Sequence, residues 1–362
     1  FLCAIPNSPT YYEPVTNMEH TLKRRDLILQ NMKDDGKITQ EQYYEATKED
    51  IELNRPKKKN TDKINNYVDT YAYYCATRAL MEQEGFTFQY YFDSDEEKKA
   101  YNEQYDELYA ACQKKLYSGG YKIYTTIDMD KQKKLQSTVD DTLAGFTEKN
   151  DDGTYNMQGA AVTIDNNTGY VVAIVGGRDQ DFNSYTLNRA FQSHRQPGSS
   201  IKPLIVYTPA FERGYDPNTI VDDHKFEGGP SNATNTYAGK IPLRYAVAKS
   251  LNTVAWQVYE QVTPKVGLQY LKNMNFSSIV KDDYTLATSL GGFTKGVSPL
   301  EMASAYAALE NDGMFRQPNC IKSIVDADEN VVYSSQMTEV SIYEQDAART
   351  MTDVLTTVMD SG

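Results

Sequence analysis

A serine and a lysine stand three residues apart in Gln196-Pro197-Gly198-Ser199-Ser200-Ile201-Lys202-Pro203. A helix opening near Ser199 would carry Lys202 one turn on, on the same face as the hydroxyl. Gly198 permits a close turn and Pro197 ends whatever precedes it. Serine at a helix start is also an ordinary cap, and that reading stands beside the chemical one. The chemical one is a hydroxyl nucleophile, Ser199, whose proton passes to a lysine amine. Spacing alone does not choose, because Ser278-Ile279-Val280-Lys281 repeats it without the flanking glycine and proline. A second polar pair, Ser250-Leu251-Asn252, is the only S-x-N in the chain. Residues two apart do not share a helix face, so a joint role for Ser250 and Asn252 requires a break there. The three histidines, His20, His194 and His224, leave little for an imidazole-based site. His194 lies five residues before Ser199, but no Asp is placed as a recognisable partner, and a structural or loop role is expected for it.

The elements that must position these residues can be read in order. Asn17 to Lys33 reads as a helix with Leu22, Ile28 and Met32 among its buried residues, after turn chemistry at Asn7-Ser8-Pro9-Thr10. Thr39 and Gln42 form a capping box for a second helix. Lys57-Lys58-Lys59-Asn60 reads as a linker. Ile64 to about Lys115 is tyrosine-rich and helical in period, with an acidic loop near Asp93–Glu97. Tyr121–Ile127 alternates as a strand, and Asp128 caps a helix carrying Leu135, Val139, Leu143 and Phe146. Two apolar strands, 160–164 and 170–175, flank Asn166-Asn167-Thr168-Gly169; apolar residues on both faces predict burial on both sides. A loop-rich stretch from Asp216 to Gly239 precedes a helix read over Leu243–Val262. Ser298-Pro299-Leu300-Glu301 opens a helix that stops at Asn311-Asp312-Gly313. A small hairpin at 321–334 and a last helix burying Met351, Val354, Leu355 and Val358 complete the chain.

With 362 residues and 40% hydrophobic composition, the chain has ample length for more than one globular domain. A net charge of −13 argues against nucleic acid as a partner. No run reaches the roughly 18 apolar residues of a membrane span. The sequence opens on Phe1 and looks like a piece of a longer protein. Cys3, Cys75, Cys112 and Cys320 contain no C-x-x-C pair, which disfavours zinc. They read as free thiols, although three disulfide pairings are conceivable.

Taken together, Gly198-Ser199-Ser200-Ile201-Lys202-Pro203 and Ser250-x-Asn252 resemble the penicillin-binding proteins. The resemblance extends to Asn188-Arg189-Ala190, Arg195-Gln196-Pro197-Gly198, Leu290-Gly291-Gly292 and Gly296-Val297-Ser298-Pro299-Leu300-Glu301. Phe1-Leu2, Ser8-Pro9-Thr10-Tyr11-Tyr12-Glu13-Pro14 and Arg24-Arg25 look like the last helices of a peptidoglycan glycosyltransferase domain. That order resembles a class A bifunctional synthase: 1–55 glycosyltransferase tail, 56–127 linker region, 128–362 transpeptidase domain. The implied fold is α+β, with helices around an antiparallel sheet as in the serine β-lactamases. The family's K-[ST]-G motif is absent from the chain and would be expected shortly after Gly362.

The resemblance implies acyl transfer on D-Ala-D-Ala stem peptides. Ser199 is the nucleophile, Lys202 the base, Ser250 the proton relay and Asn252 the substrate-binding amide. The Ser199 backbone N–H is one oxyanion donor; in the family the other comes from the missing strand. Implied partners are stem peptides, lipid-linked glycan strands and β-lactams, with the parent membrane-anchored at the extracytoplasmic face and no metal or cofactor required. The glycosyltransferase's own catalytic residues would precede Phe1. Two other readings use the same residues: a carboxypeptidase or β-lactamase with water as acceptor, and a β-lactam sensor that acylates without turnover.

Overall fold

The computed structural model describes residues 1–8, 11–15, 17–53, 66–151, 153–179 and 187–361. The Lys57–Asn60 stretch and Pro9-Thr10 lie outside the described residues. The chain is a mixture of α-helices and short antiparallel sheets, divided into two compact units, Phe1–Ile64 and Asn65–Gly362.

In the first unit, helices Met18–Asp34 and Gln40–Lys48 pack together, and Thr39 and Gln42 make the expected capping box. The buried residues of the longer helix are Thr21 and Arg25; Leu22 and Ile28 are half-buried, and Met32 is exposed. Apolar periodicity fails here because a cation makes the contact. The Arg25 guanidinium donates to the carbonyls of Thr47 (3.0 Å) and Glu49 (3.1 Å), where the neighbouring helix ends. Those carbonyls lack intrahelical donors and carry the negative end of the helix dipole.

The second unit begins with helices Asn66–Gln83 and Asp95–Ser118. The acidic stretch expected as a loop is instead a helix start: Ser94 accepts from the Glu97 N–H, and Asp95, Glu96 and Glu97 fill the first turn. Carboxylates there face the positive end of the dipole. Strands Lys122–Thr125, Ile321–Val325 and Val331–Ser334 form one antiparallel sheet with Ile321–Val325 in the middle. Strands Ala161–Ile164 and Val171–Val175 form another, and every residue of the latter is buried. Its open side is closed by a side chain. Gln132, in the helix Met129–Leu143 capped by Asp128, donates to Ile174 O (2.9 Å) and accepts from Ile174 N–H (2.7 Å). The amide thereby stands in for a neighbouring strand. This is why Gln132 is buried on that helix, and Gln136 is buried where it donates to Gly177 O (3.0 Å) just past the strand, while Leu135, Val139 and Leu143 are half-buried and Phe146 is exposed.

The main core surrounds the helical segment that follows Gly198. Every residue from Ile201 to Phe211 is buried, against helices Asn252–Val262, Pro264–Asn273 and Gln345–Ser361. Met351 and Val354 of the last helix are fully buried, Leu355 partly, and Val358 is exposed. Truncating Leu204 or Ile205 to alanine in such surroundings costs about 2–5 kcal/mol.

Candidate active site

The segment carrying Ser199 and Lys202 is not a regular α-helix. It runs as a 3-10 turn over Gly198–Ile201, a π stretch over Pro203–Tyr207 and an α turn over Thr208–Phe211. The 3-10 turn repeats every three residues, so positions three apart eclipse, and Ser199 and Lys202 share a face more closely than in an α-helix. The Lys202 N–H donates to Ser199 O. Prolines explain the π stretch. Thr208 N–H reaches back five residues to Pro203 O, and Pro209 has no N–H to offer Leu204 O. The orphaned Leu204 carbonyl accepts instead from the Tyr343 hydroxyl at 2.8 Å.

Two glycines set the turn. Gly198 has φ +58° and Gly291 φ +88°, both in the left-handed region. A Cβ on Gly291 would lie 2.3 Å from Gly198 N, so no side chain fits where the Leu290-Gly291-Gly292 segment meets the serine turn. Arg195 pairs with Val297 in both directions, and Gln196 donates to Phe293 O (3.2 Å). Tyr306, part of the family-like segment that follows Gly296, donates its hydroxyl to Ser200 O at 2.7 Å.

Ser250 and Asn252 sit at the break their joint role requires. The helix expected over Leu243–Val262 stops at Ala248 and restarts at Asn252. Between them Ser250 takes φ +51°, which costs a non-glycine residue about 1–2 kcal/mol. The strained turn brings three oxygens to Lys202 Nζ: Ser250 O at 2.7 Å, Asn252 Oδ1 at 2.8 Å and Ser250 Oγ at 3.3 Å. Lys202 is only 2% exposed while Ser199 is exposed, so the amine is sequestered and the hydroxyl faces solvent.

Burial disfavours the ammonium and lowers the Lys202 pKa to about 8. The partner set suits a neutral amine. Two N–H groups satisfy the carbonyl oxygens of Ser250 and Asn252, and the lone pair remains for a hydroxyl proton. Asn252 is oriented by its other bonds: Nδ2 donates to Ser231 O (2.9 Å), leaving Oδ1 to face the lysine.

The other sequence candidates lie elsewhere. His194 Nε2 meets Ser277 Oγ at 3.2 Å and lies 3.7 Å from Glu301 Oε2, within a structural cluster. Lys281 of the second S-x-x-K match is exposed rather than buried beside polar partners like those of Lys202. All four cysteines are free. Among the described residues no group of three histidine, cysteine or acidic side chains is placed to hold a metal ion, and no helix is long and apolar enough to cross a membrane.

The penicillin binding protein transpeptidase domain family matches residues 159–362. Penicillin-binding protein 4 of Bacillus subtilis is 31% identical over the whole chain, which covers 56% of that protein. Penicillin-binding protein 1A/1B of the same organism is 33% identical over 89% of the chain, which covers 32% of it. The chain thus spans about half or less of these relatives. The crystal structure of penicillin-binding protein 1A from Haemophilus influenzae has the same fold, with a TM-score of 0.61, 18% identity, and coverage of 99% of this chain and 67% of that one.

Proposed function

The chain belongs to the penicillin-binding protein transpeptidase domain family, and from that membership we propose that it supplies the acyl-transfer centre of a bifunctional peptidoglycan synthase. One observation carries the assignment of residues: a buried, uncharged-prone amine, Lys202, held by Ser250 and Asn252 one turn from an exposed serine. Ser199 Oγ attacks the carbonyl of the penultimate D-alanine in a stem peptide and gives its proton to the Lys202 lone pair. The Ser199 N–H, in the first turn of its helical segment, has no intrahelical partner and faces the developing oxyanion. Ser250 passes the proton to the leaving amine, and the second Nδ2 hydrogen of Asn252 holds the donor backbone. Terminal D-alanine departs, and the amine of a second stem peptide takes the acyl group. A β-lactam enters the first half-reaction and stops there.

The parent protein is proposed to work at the extracytoplasmic face of the membrane, with residues 1–55 closing a glycosyltransferase domain on lipid-linked strands and 56–127 linking it to the transpeptidase. The chain contains no K-[ST]-G strand, which would supply the second oxyanion donor. Loss of one such donor costs about 100- to 1000-fold in rate. The 362-residue chain alone is therefore expected to acylate that much more slowly than one extended through such a strand; equal rates would refute this role for the strand. Assaying the extended protein with paired stem peptides tests the reading as a whole. Cross-linked dimer is expected. Free tetrapeptide alone would favour a carboxypeptidase, and a permanent acyl-enzyme with peptide donors would favour a sensor.

A further inference from the structure

The helix that carries Asn252 cannot cap itself. Its N-cap residue is Leu251, which has no acceptor, and the preceding Ser250 side chain is turned toward Lys202. The cap comes from about twenty residues upstream, in the hairpin formed by strands Ile220–Asp223 and Gly239–Pro242. Asn232 Oδ1 accepts from the backbone N–H of Asn252 (2.8 Å) and of Thr253 (3.3 Å). The chemistry fixes its orientation, because Asn232 Nδ2 donates to Asp223 Oδ1 (2.7 Å) and Thr236 O (3.0 Å).

Asp223 in turn is 1% exposed. Its carboxylate accepts from Asn232 Nδ2, from Ala238 N–H (2.7 Å) and from the Thr253 hydroxyl. Burial works against the charge, but these three donors, with a smaller contribution from the neighbouring His224, outweigh it and hold Asp223 below the usual carboxylate range. The adjacent Ser231 carbonyl receives Asn252 Nδ2. The hairpin therefore grips both the backbone and the amide of Asn252.

Building on the acyl-transfer reading, we propose that Asn232 and Asp223 are positioning residues, which hold the Asn252 amide so that its oxygen rather than its nitrogen meets Lys202. The consequence is specific. With the amide reversed, Nδ2 would donate to the lone pair of the neutral amine and occupy the acceptor that Ser199 needs. With the amide loose, water would reach Nζ and relieve its burial. Among the described contacts, Ser250 and Asn252 are the partners of Nζ, and no carboxylate or second cation touches it.

The test is an NMR titration of Nζ-labelled lysine in the 362-residue chain, with variants Asn232→Ala and Thr253→Val and the conservative Thr253→Ser. Circular dichroism checks folding. In the unaltered chain Lys202 should titrate near 8. Asn232→Ala and Thr253→Val should move that midpoint by at least about half a pH unit, and Thr253→Ser, which keeps the hydroxyl, should restore it. In the chain extended through a K-[ST]-G strand, the same two variants should slow acylation by a fluorescent penicillin at least about tenfold. Folded variants with unmoved midpoints and unchanged rates would overturn the proposal. Failure of the unaltered extended chain to acylate, with the midpoints still moving, would instead sink the acyl-transfer reading and leave the positioning intact.

Discussion

If a neutral Lys202 is the proton acceptor, acylation must follow its titration. The amine is 2% exposed and, among the described residues, is bound by Ser250 and Asn252, with burial placing its pKa at about 8. About a tenth of the molecules then carry the free base at pH 7, half at pH 8 and about nine tenths at pH 9. The second-order rate with a fluorescent penicillin should rise about tenfold from pH 7 to pH 9, flattening above the midpoint. Lys202→Arg stays protonated throughout and should lose on the order of 100- to 10,000-fold without any such rise. Stability gives an independent reading of the same group. Between the native value of about 8 and the ordinary lysine value of 10.5, the unfolded chain binds more protons than the folded one. The buried amine therefore costs about 3 kcal/mol at lower pH, and stability recovers by that amount as pH rises through the interval. Lys202→Met should remove this slope from urea-denaturation free energies. A flat acylation profile, or a midpoint near the ordinary lysine value, would refute the reasoning.

Ser250→Gly should separate strain from chemistry: it relieves φ +51° and raises stability by about 1 kcal/mol in urea denaturation, while slowing acylation at least about a hundredfold. Gly291→Ala places a carbon 2.3 Å from Gly198 N at φ +88°, so it should destabilise the fold by about 2 kcal/mol or more and slow acylation with it. His194→Ala should leave acylation within about twofold, since the imidazole contacts Ser277 rather than Ser199. A larger loss there would reopen an imidazole-based site.

What was legible in the sequence was local. Thr39 with Gln42 and Ser298 with Glu301 name both partners of a capping box within four residues, and both boxes form. The hairpin strands Ile321–Val325 and Val331–Ser334 likewise pair as their pattern requires. The break at Ser250 followed from helix geometry, even though the periodicity of Leu243–Val262 hid it. What was not legible depends on partners far along the chain. Nothing near Asn232 marks it as the cap of a helix twenty residues on, and Asp223 is one acidic residue among many until Thr253 and Ala238 converge on it. Gln132 looks like a surface residue because the strand it completes begins about forty residues later. The 3-10 and π turns around Lys202 come from Pro203 and Pro209 acting with Tyr343, a contact no window of sequence contains.

The central claim is that a lysine makes one particular hydroxyl nucleophilic. The measurement that meets it most directly is mass-spectrometric mapping of the acyl group after a β-lactam is added to the chain extended through a K-[ST]-G strand. The account predicts a single adduct on Ser199, absent from Ser199→Ala and accumulating at least about a hundredfold more slowly in Lys202→Arg. An adduct on Ser200 or Ser278, or acylation of Lys202→Arg at an undiminished rate, would contradict it.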